Sequence, residues 1–163
     1  MKKLLTVLLT LAMVIGIIGC QPKENSNLEG SLGNILDKIY ETADVDEQTK
    51  EYLNNRLATT EITSENVGYF LGKDDIVFES AIASEPMMTS SAYSLCLIRV
   101  KEGADIEAIK KDIKENVDPR KWICVGVDPD NIIVDNIGDV VVLIMSDDAG
   151  SALHDAFLQL KEK

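Results

Sequence analysis

Residues 132–145 read Ile132-Ile133-Val134-Asp135-Asn136-Ile137-Gly138-Asp139-Val140-Val141-Val142-Leu143-Ile144-Met145, two apolar runs around a segment rich in Asp, Asn and Gly. β-Branched residues favour extended chain, and Asn and Gly supply the positive φ of hairpin turns. The stretch therefore predicts strands over Ile132-Ile133-Val134 and Val140 to Met145, joined by a turn over 135–139. On its C-terminal side Ala149, Ala152, Leu153, Ala156, Phe157 and Leu160 recur at helical spacing, which predicts a helix from about Ala149 to Leu160. Asp147 and Asp148 fall in its first turn, where the helix dipole favours negative charge.

On the N-terminal side Ile106, Ile109, Ile113 and Val117 form one apolar stripe, and a helix is expected within 103–117, capped by Asp105 and stopped by Asp118-Pro119. Before it, an extended run carrying Ile76, Phe78, Ala81 and Ile82 leads through the turn-like segment 84–91 into Tyr93-Ser94-Leu95-Cys96-Leu97-Ile98-Arg99-Val100, a second hairpin. The order strand, strand, helix recurs, with 97–103 and 143–149 in equivalent places, a weak pseudo-repeat. Further back, Leu32, Ile35, Leu36, Ile39 and Tyr40 predict a helix over 34–42 capped at Ser31, and Tyr52, Leu53 and Leu57 a second over 46–57. Residues 61–74 fit either a short helix capped at Ser64 or an irregular strand. The expected fold is α+β, a two-layer sandwich. A mostly antiparallel four-stranded sheet in ββαββα order has helices on one face, and the N-terminal helices partly cover the other.

The chain starts Met1-Lys2-Lys3, continues with an uncharged apolar stretch from Leu4 to Gly19, and then turns polar after Cys20. Basic start, apolar middle and small residue before a cut are the layout of an export signal. The apolar stretch is shorter than the roughly 17–25 residues that cross a bilayer. Ile17-Ile18-Gly19-Cys20 resembles the lipobox of bacterial lipoproteins, and the resemblance implies cleavage between Gly19 and Cys20 with acylation of the Cys20 thiol. Each buried methylene contributes about 0.8 kcal/mol, so two acyl chains hold a protein at a membrane where one does so only marginally. The expected organisation is a signal peptide over 1–19, a flexible tether over 20–30 with Pro22 and Gly30, and a single α+β domain over 31–163. The expected location is the outer face of the cell membrane, anchored through lipid on Cys20.

The chain of 163 residues carries 16 basic and 28 acidic side chains, a formal charge of −12. Loss of residues 1–19 removes Lys2 and Lys3 and no acid, leaving the exported part more acidic still. Such a balance excludes a nucleic-acid footprint and opposes adhesion to anionic headgroups, so membrane contact is expected from lipid alone. A chain of this size buries enough surface for one core without staples. Cys96 and Cys124 remain in a compartment that permits a disulfide, yet each lies in an apolar run and reads as a small buried hydrophobe.

Chemistry is sparsely provided for. Serine or cysteine nucleophiles need a base within reach, and the one histidine, His154, falls off the apolar stripe of its helix, which predicts a solvent-facing side chain. Two separated cysteines and one histidine give no zinc-ligand spacing. The run Asp128 to Asp135 begins like a calcium loop but carries Ile133 where a sharply turning Gly is required. The pairs Asp74-Asp75 and Asp147-Asp148 sit where turns and helix starts want acids. No catalytic residue, metal site or cofactor is therefore assigned. The contact residues of choice are Met87 and Met88, adaptable side chains among Thr89, Ser90 and Ser91, together with Trp122.

Met87-Met88, the segment from Ala92 to Asp105 and Asp118-Pro119-Arg120-Lys121-Trp122 together resemble a family of small bacterial lipoproteins whose domain has no assigned function. The likeness is diffuse, covers about residues 32–160, and implies an exported α+β domain with no site residue. The expected role is a non-catalytic binding or accessory module at the cell envelope, recruiting a protein, peptide or small ligand. The alternative is a small envelope hydrolase or transferase working through carboxylates.

Overall fold

The computed structural model describes residues 27–162, so the expected signal peptide, the Gly19-Cys20 cleavage and the lipid on Cys20 lie outside the described residues. The fold is α+β, and its centre is an antiparallel sheet. In chain order come α1 (Leu32–Thr42), α2 (Glu47–Asn55), β1 (Leu57–Glu61), α3 (Val67–Leu71), β2 (Ser80–Pro86) and β3 (Ser94–Arg99). There follow α4 (Ile106–Asn116), a short 3-10 turn, β4 (Ile132–Ile137), β5 (Val140–Met145), α5 (Gly150–Gln159) and a terminal 3-10 turn (Leu160–Glu162).

The sheet has five strands in the order β1-β2-β3-β5-β4, where four were expected. The added strand is β1, Leu57-Ala58-Thr59-Thr60-Glu61, which pairs with β2 from Leu57↔Pro86 to Glu61↔Ile82. Its side chains after Leu57 are all exposed, so it lacks the alternation by which strands are recognised. Strand β4 also runs further than expected, through Ile137, leaving a tight turn at Gly138-Asp139 in which Gly138 takes φ +54°. Residues 61–74 resolve as the short helix α3, which begins after Asn66. It ends at Gly72, φ +85°, where an added Cβ would lie 2.3 Å from the Asn116 backbone.

The sheet is buried on both faces, so the expected two-layer sandwich becomes three layers. Leu95, Leu97, Val140, Val142 and Ile144 pack under α1, α2 and α5 with Ile35, Leu36, Ile39, Leu53, Leu153 and Phe157. Cys96, Ile98, Val141, Leu143 and Met145 point the other way, against Val67, Phe70, Leu71, Ile113, Val117 and Trp122 of α3, α4 and the following connector. The physical cause is the unbroken apolar run of β5, all of it buried: a strand apolar at every position must cover both sides. The helices of the two ββα units consequently lie on opposite faces. We call the two sides the α1 face and the α4 face.

Local signals start the helices. Ser31 Oγ accepts from Asn34 N at 3.2 Å, Asp46 Oδ1 from Thr49 N at 2.7 Å, and Asp105 Oδ1 from Ala108 N at 3.0 Å, so each cap satisfies an N–H that its helix leaves free. Helix α5 has no such cap; Ser146 Oγ instead accepts from Ala149 N at 3.1 Å. Among the described residues no helix is long and apolar enough to cross a membrane.

Candidate functional site

Arg99, at the C-terminal end of β3, fixes where the chain arrives. Its guanidinium donates to Asp139 Oδ2 at 2.9 Å and to the carbonyls of Leu28 and Gly30 at 3.0 Å each. The last part of the expected tether is thereby held against the domain. Strand β3 rises about 3.3 Å per residue. Its other end, at Ser94, is therefore on the order of 17 Å from this grip. A recess between 75–77 and 101–112, with the exposed Val77, lies near Arg99, while a cleft bearing two carboxylates and the exposed Met87, Met88 and Ile123 lie at the Ser94 end.

The first feature of that far end is a cleft of about 560 Å³ between the start of α2, the β2–β3 loop and the start of α5. Asp46, Gln48, Thr49, Tyr52, Ser91 and Tyr93 form one wall, and Ser146 and Asp148 the other. Its lining contains two carboxylates and several hydroxyls but no Lys or Arg. Tyr52 and Tyr93 stack edge to face, centroids 6.1 Å apart, and Tyr52 Oη pairs with Ser91 Oγ at 2.9 Å. Tyr93 Oη meets Tyr40 Oη at 3.0 Å, and Tyr40 donates to the buried Ser84 Oγ at 2.8 Å. Burial pushes the Tyr40 phenol up to about 12 and the Tyr93 phenol well above its ordinary value, so both stay neutral hydrogen-bonding groups.

The second feature is the pair of loops beside it. Met87 and Met88 are 62% and 67% exposed, and Ile123 is 64% exposed on the neighbouring loop. The loops are tied together where Ile123 N donates to Thr89 O at 3.0 Å, so these apolar side chains share one end of the molecule. Trp122, expected beside the methionines as a contact residue, is only 6% exposed. Its Nε1 is buried without an acceptor among the described residues. Cys124, expected in the interior, is exposed and holds φ +61°, while Cys96 is buried; both are free thiols.

Beneath the loops lies a largely covered ionic cluster. Lys121 Nζ sits 2.6 Å from Glu85 Oε1, with side chains 3% and 15% exposed. The contact is a charge contact whose angles fall outside those of a hydrogen bond. The ammonium also lies 4.8 Å from the Tyr69 ring centre, 5.2 Å from that of Phe70 and 5.4 Å from that of Trp122. Ser94 Oγ is 3.5 Å from both Lys121 Nζ and Cys96 Sγ. A serine beside a lysine suggests a nucleophile and its base, but Ser94 is fully buried, and a substrate has no route to it. Burial also raises the Cys96 thiol to about 11, which keeps it protonated and inert.

His154 is the clearest departure from expectation. It does not point into solvent: Nε2 pairs with Asp135 Oδ2 at 2.8 Å on the edge strand β4. Lys110, from α4 on the other face, reaches the same edge, 3.7 Å from Asp135 Oδ1 and 3.0 Å from Asn136 Oδ1. Burial alone would raise the Asp135 carboxyl. The His154 hydrogen bond, the Asn136 N–H and the charges of His154 and Lys110 outweigh it and hold the group below the usual carboxylate range. A base with its orienting carboxylate resembles part of a hydrolytic triad, yet His154 has no serine or cysteine partner among the described residues. Of the aspartate pairs, Asp147 is occupied as an acceptor from Asp128 N and Asn131 Nδ2, Asp75 lies 3.5 Å from Lys73, and Asp148 lines the cleft. Among the described residues no three His, Cys, Asp or Glu side chains converge as a metal ion would require.

The cleft escaped sequence reasoning because its walls come from three separate segments, each carrying ordinary hydroxyl and cap residues. Comparison of the chain with family models, curated proteins and solved structures finds no match.

Proposed function

We propose that the chain is a lipoprotein of the cell envelope, cut before Cys20, acylated there, and working as a non-catalytic binding module on the outer face of the membrane. The observation that carries the binding role is the separation of the two ends of β3. Arg99 grips the arriving chain at one, and the cleft and the exposed Met87, Met88 and Ile123 stand at the other. An anchored domain arranged in this way presents its apolar loops and its carboxylate-bearing cleft away from its point of attachment. Apolar side chains flanking Asp46 and Asp148 suit a peptide or protein segment that carries an aliphatic residue next to a basic one, since its cation finds acceptors and no competing cation in the cleft. Membrane attachment in this reading comes from lipid and not from charge, consistent with the net charge of −12. The alternative of a carboxylate hydrolase rests on Asp46 and Asp148 in the cleft, and Asp46 Oδ1 is already engaged as the cap of α2, as Asp147 is by the Asp128 and Asn131 hydrogen bonds.

The test uses the full chain in its own membranes. Labelled fatty acid should enter the parent and not a Cys20→Ser form, and crosslinking should trap an envelope protein that a Met87→Ser/Met88→Ser double variant loses. A Cys20→Ser form that still takes label removes the anchor. A trapped partner indifferent to both methionines removes the binding surface.

A further inference from the structure

The described residues carry five sulfur atoms, and exposure divides them into two groups. Cys96 and Met145 are completely buried in the α4 face of the sheet. Met87, Met88 and Cys124 are exposed, and all three stand on the two loops that the Ile123 N–H and the Thr89 carbonyl join. Neither exposed methionine belongs to a core cluster. The loop that carries them is held by groups other than sulfur: Met87 N donates to Arg56 O at 3.0 Å, Ser91 N to Met88 O at 3.3 Å, and Tyr52 Oη pairs with Ser91 Oγ at 2.9 Å. A chemical change at either thioether therefore leaves the shape of the loop and the sheet intact. A leucine would supply comparable apolar surface; a thioether differs from it in being oxidisable, and how readily it reacts follows how far solvent reaches it.

We propose that Met87 and Met88 form an oxidation site that switches off the binding surface: peroxide reaching the outer face converts both to sulfoxides while Met145 stays reduced. The switch rests on the binding role given above. In each step a sulfur lone pair forms an S–O bond to one peroxide oxygen and the O–O bond breaks. The departing hydroxide takes the proton of the transferred oxygen and leaves as water, so sulfur loses two electrons and peroxide gains them. Each sulfoxide sets a strong acceptor oxygen where the surface was apolar. Solvent satisfies that oxygen in the free protein. Against an aliphatic side chain of the partner it loses water and meets no donor, which weakens binding about tenfold or more for each stranded group. A thioether carries no proton, so its oxidation does not wait on ionisation, whereas the neighbouring Cys124 thiol reacts as thiolate and gains speed as pH rises.

The test treats membranes bearing the full chain, with Cys124→Ser to remove the exposed thiol, with hydrogen peroxide. Peptide mass spectrometry should find one added oxygen on Met87 and one on Met88 and none on Met145, at a rate that does not change with pH around neutrality. The far-UV circular dichroism of the treated chain should match that of the untreated one. Crosslinking to the envelope partner should fall about tenfold or more after treatment. It should survive treatment in a Met87→Leu/Met88→Leu variant, which keeps the apolar surface and has no sulfur there to oxidise. A treated chain that crosslinks as before overturns the switch and leaves the binding surface standing. Equal loss in the leucine variant also overturns it, because the peroxide then acts elsewhere. Oxidation of Met145 as fast as that of Met87 and Met88 removes the site itself. An untreated Met87→Ser/Met88→Ser form that crosslinks like the parent overturns the binding role, and the switch falls with it.

Discussion

Lys121 and Glu85 meet 2.6 Å apart with 3% and 15% of their side chains exposed, roofed by Tyr69, Phe70 and Trp122. Lys110, Asp135 and His154 form a second ionic cluster over the edge of β4, and there each side chain keeps between 19% and 34% of its surface in contact with solvent. The charges are alike and the distances comparable, but the surroundings set different energies. In the covered cluster Lys121 has lost nearly all of its water and Glu85 most of it, so deleting one leaves its partner poorly compensated. At the edge, water takes over when a partner goes.

The largest effect that this contrast predicts is on Lys121. Lys121→Ala leaves Glu85 charged and buried, and denaturant titration should show a loss of about 3–5 kcal/mol. Replacing both ions, as Lys121→Met with Glu85→Gln, should recover most of that loss, because the double variant leaves no buried charge. A single-variant cost below about 1 kcal/mol would place the cluster with solvated surface pairs and erase the distinction.

Arg99 stands between the two cases, partly buried and bonded to one carboxylate and two carbonyls. Hydrogen bonds to charged groups contribute about 1.5–3 kcal/mol each at most sites, and Arg99→Ala should cost roughly 2 kcal/mol after water has replaced some of them. Its particular signature is local. Limited proteolysis should open near residues 28–31 in Arg99→Ala, and should not do so in Lys121→Ala under conditions where both remain folded. Equal cleavage in the two variants would mean that Arg99 has no specific hold on the arriving chain.

How far these features were legible follows from what each one depends on. Strand β5 could be read from Val140-Val141-Val142-Leu143-Ile144-Met145 because six apolar residues in a row have few other uses, but the two-layer expectation missed the burial on both faces that such a run requires. Helices α1 and α4 announced themselves by cap and stripe, Ser31 and Asp105 included. Strand β1 could not be found this way, since its exposed Thr59 and Thr60 are held by pairing with β2 and not by any apolar pattern. His154 was placed correctly off the apolar stripe, but the inference that it meets only water failed. Helix α5 lies over the edge strand, and Asp135, some twenty positions earlier in sequence, is waiting there. The cleft and the Lys121–Glu85 contact share that cause: both join segments that only the strand order brings together. Met87 and Met88, whose exposure a loop alone decides, were legible; Trp122, whose burial the α4 face decides, was not.

The smallest effect belongs to Asp135, and pH isolates it. Its folded carboxyl titrates below the usual range, chiefly through the His154 hydrogen bond working against burial, so the folded state binds its proton less readily than the unfolded chain does. A depressed acid stabilises the fold fully above its unfolded value, about 3.9, and loses that contribution as pH falls through the lower folded value. Asp135→Asn should therefore cost no more than about 1 kcal/mol near neutrality, as for a partly exposed pair, with the difference from the parent shrinking as the solution is taken below about pH 4. Salt should shrink it too, since the edge is open to counterions, whereas the Lys121→Ala loss should hardly respond. Chemical denaturation of both variants across pH and ionic strength reads all of this in one experiment. If the Asp135→Asn difference persists undiminished in acid, the carboxylate's charge is not what joins α5 and α4 to β4, and the two ionic clusters differ in position but not in kind.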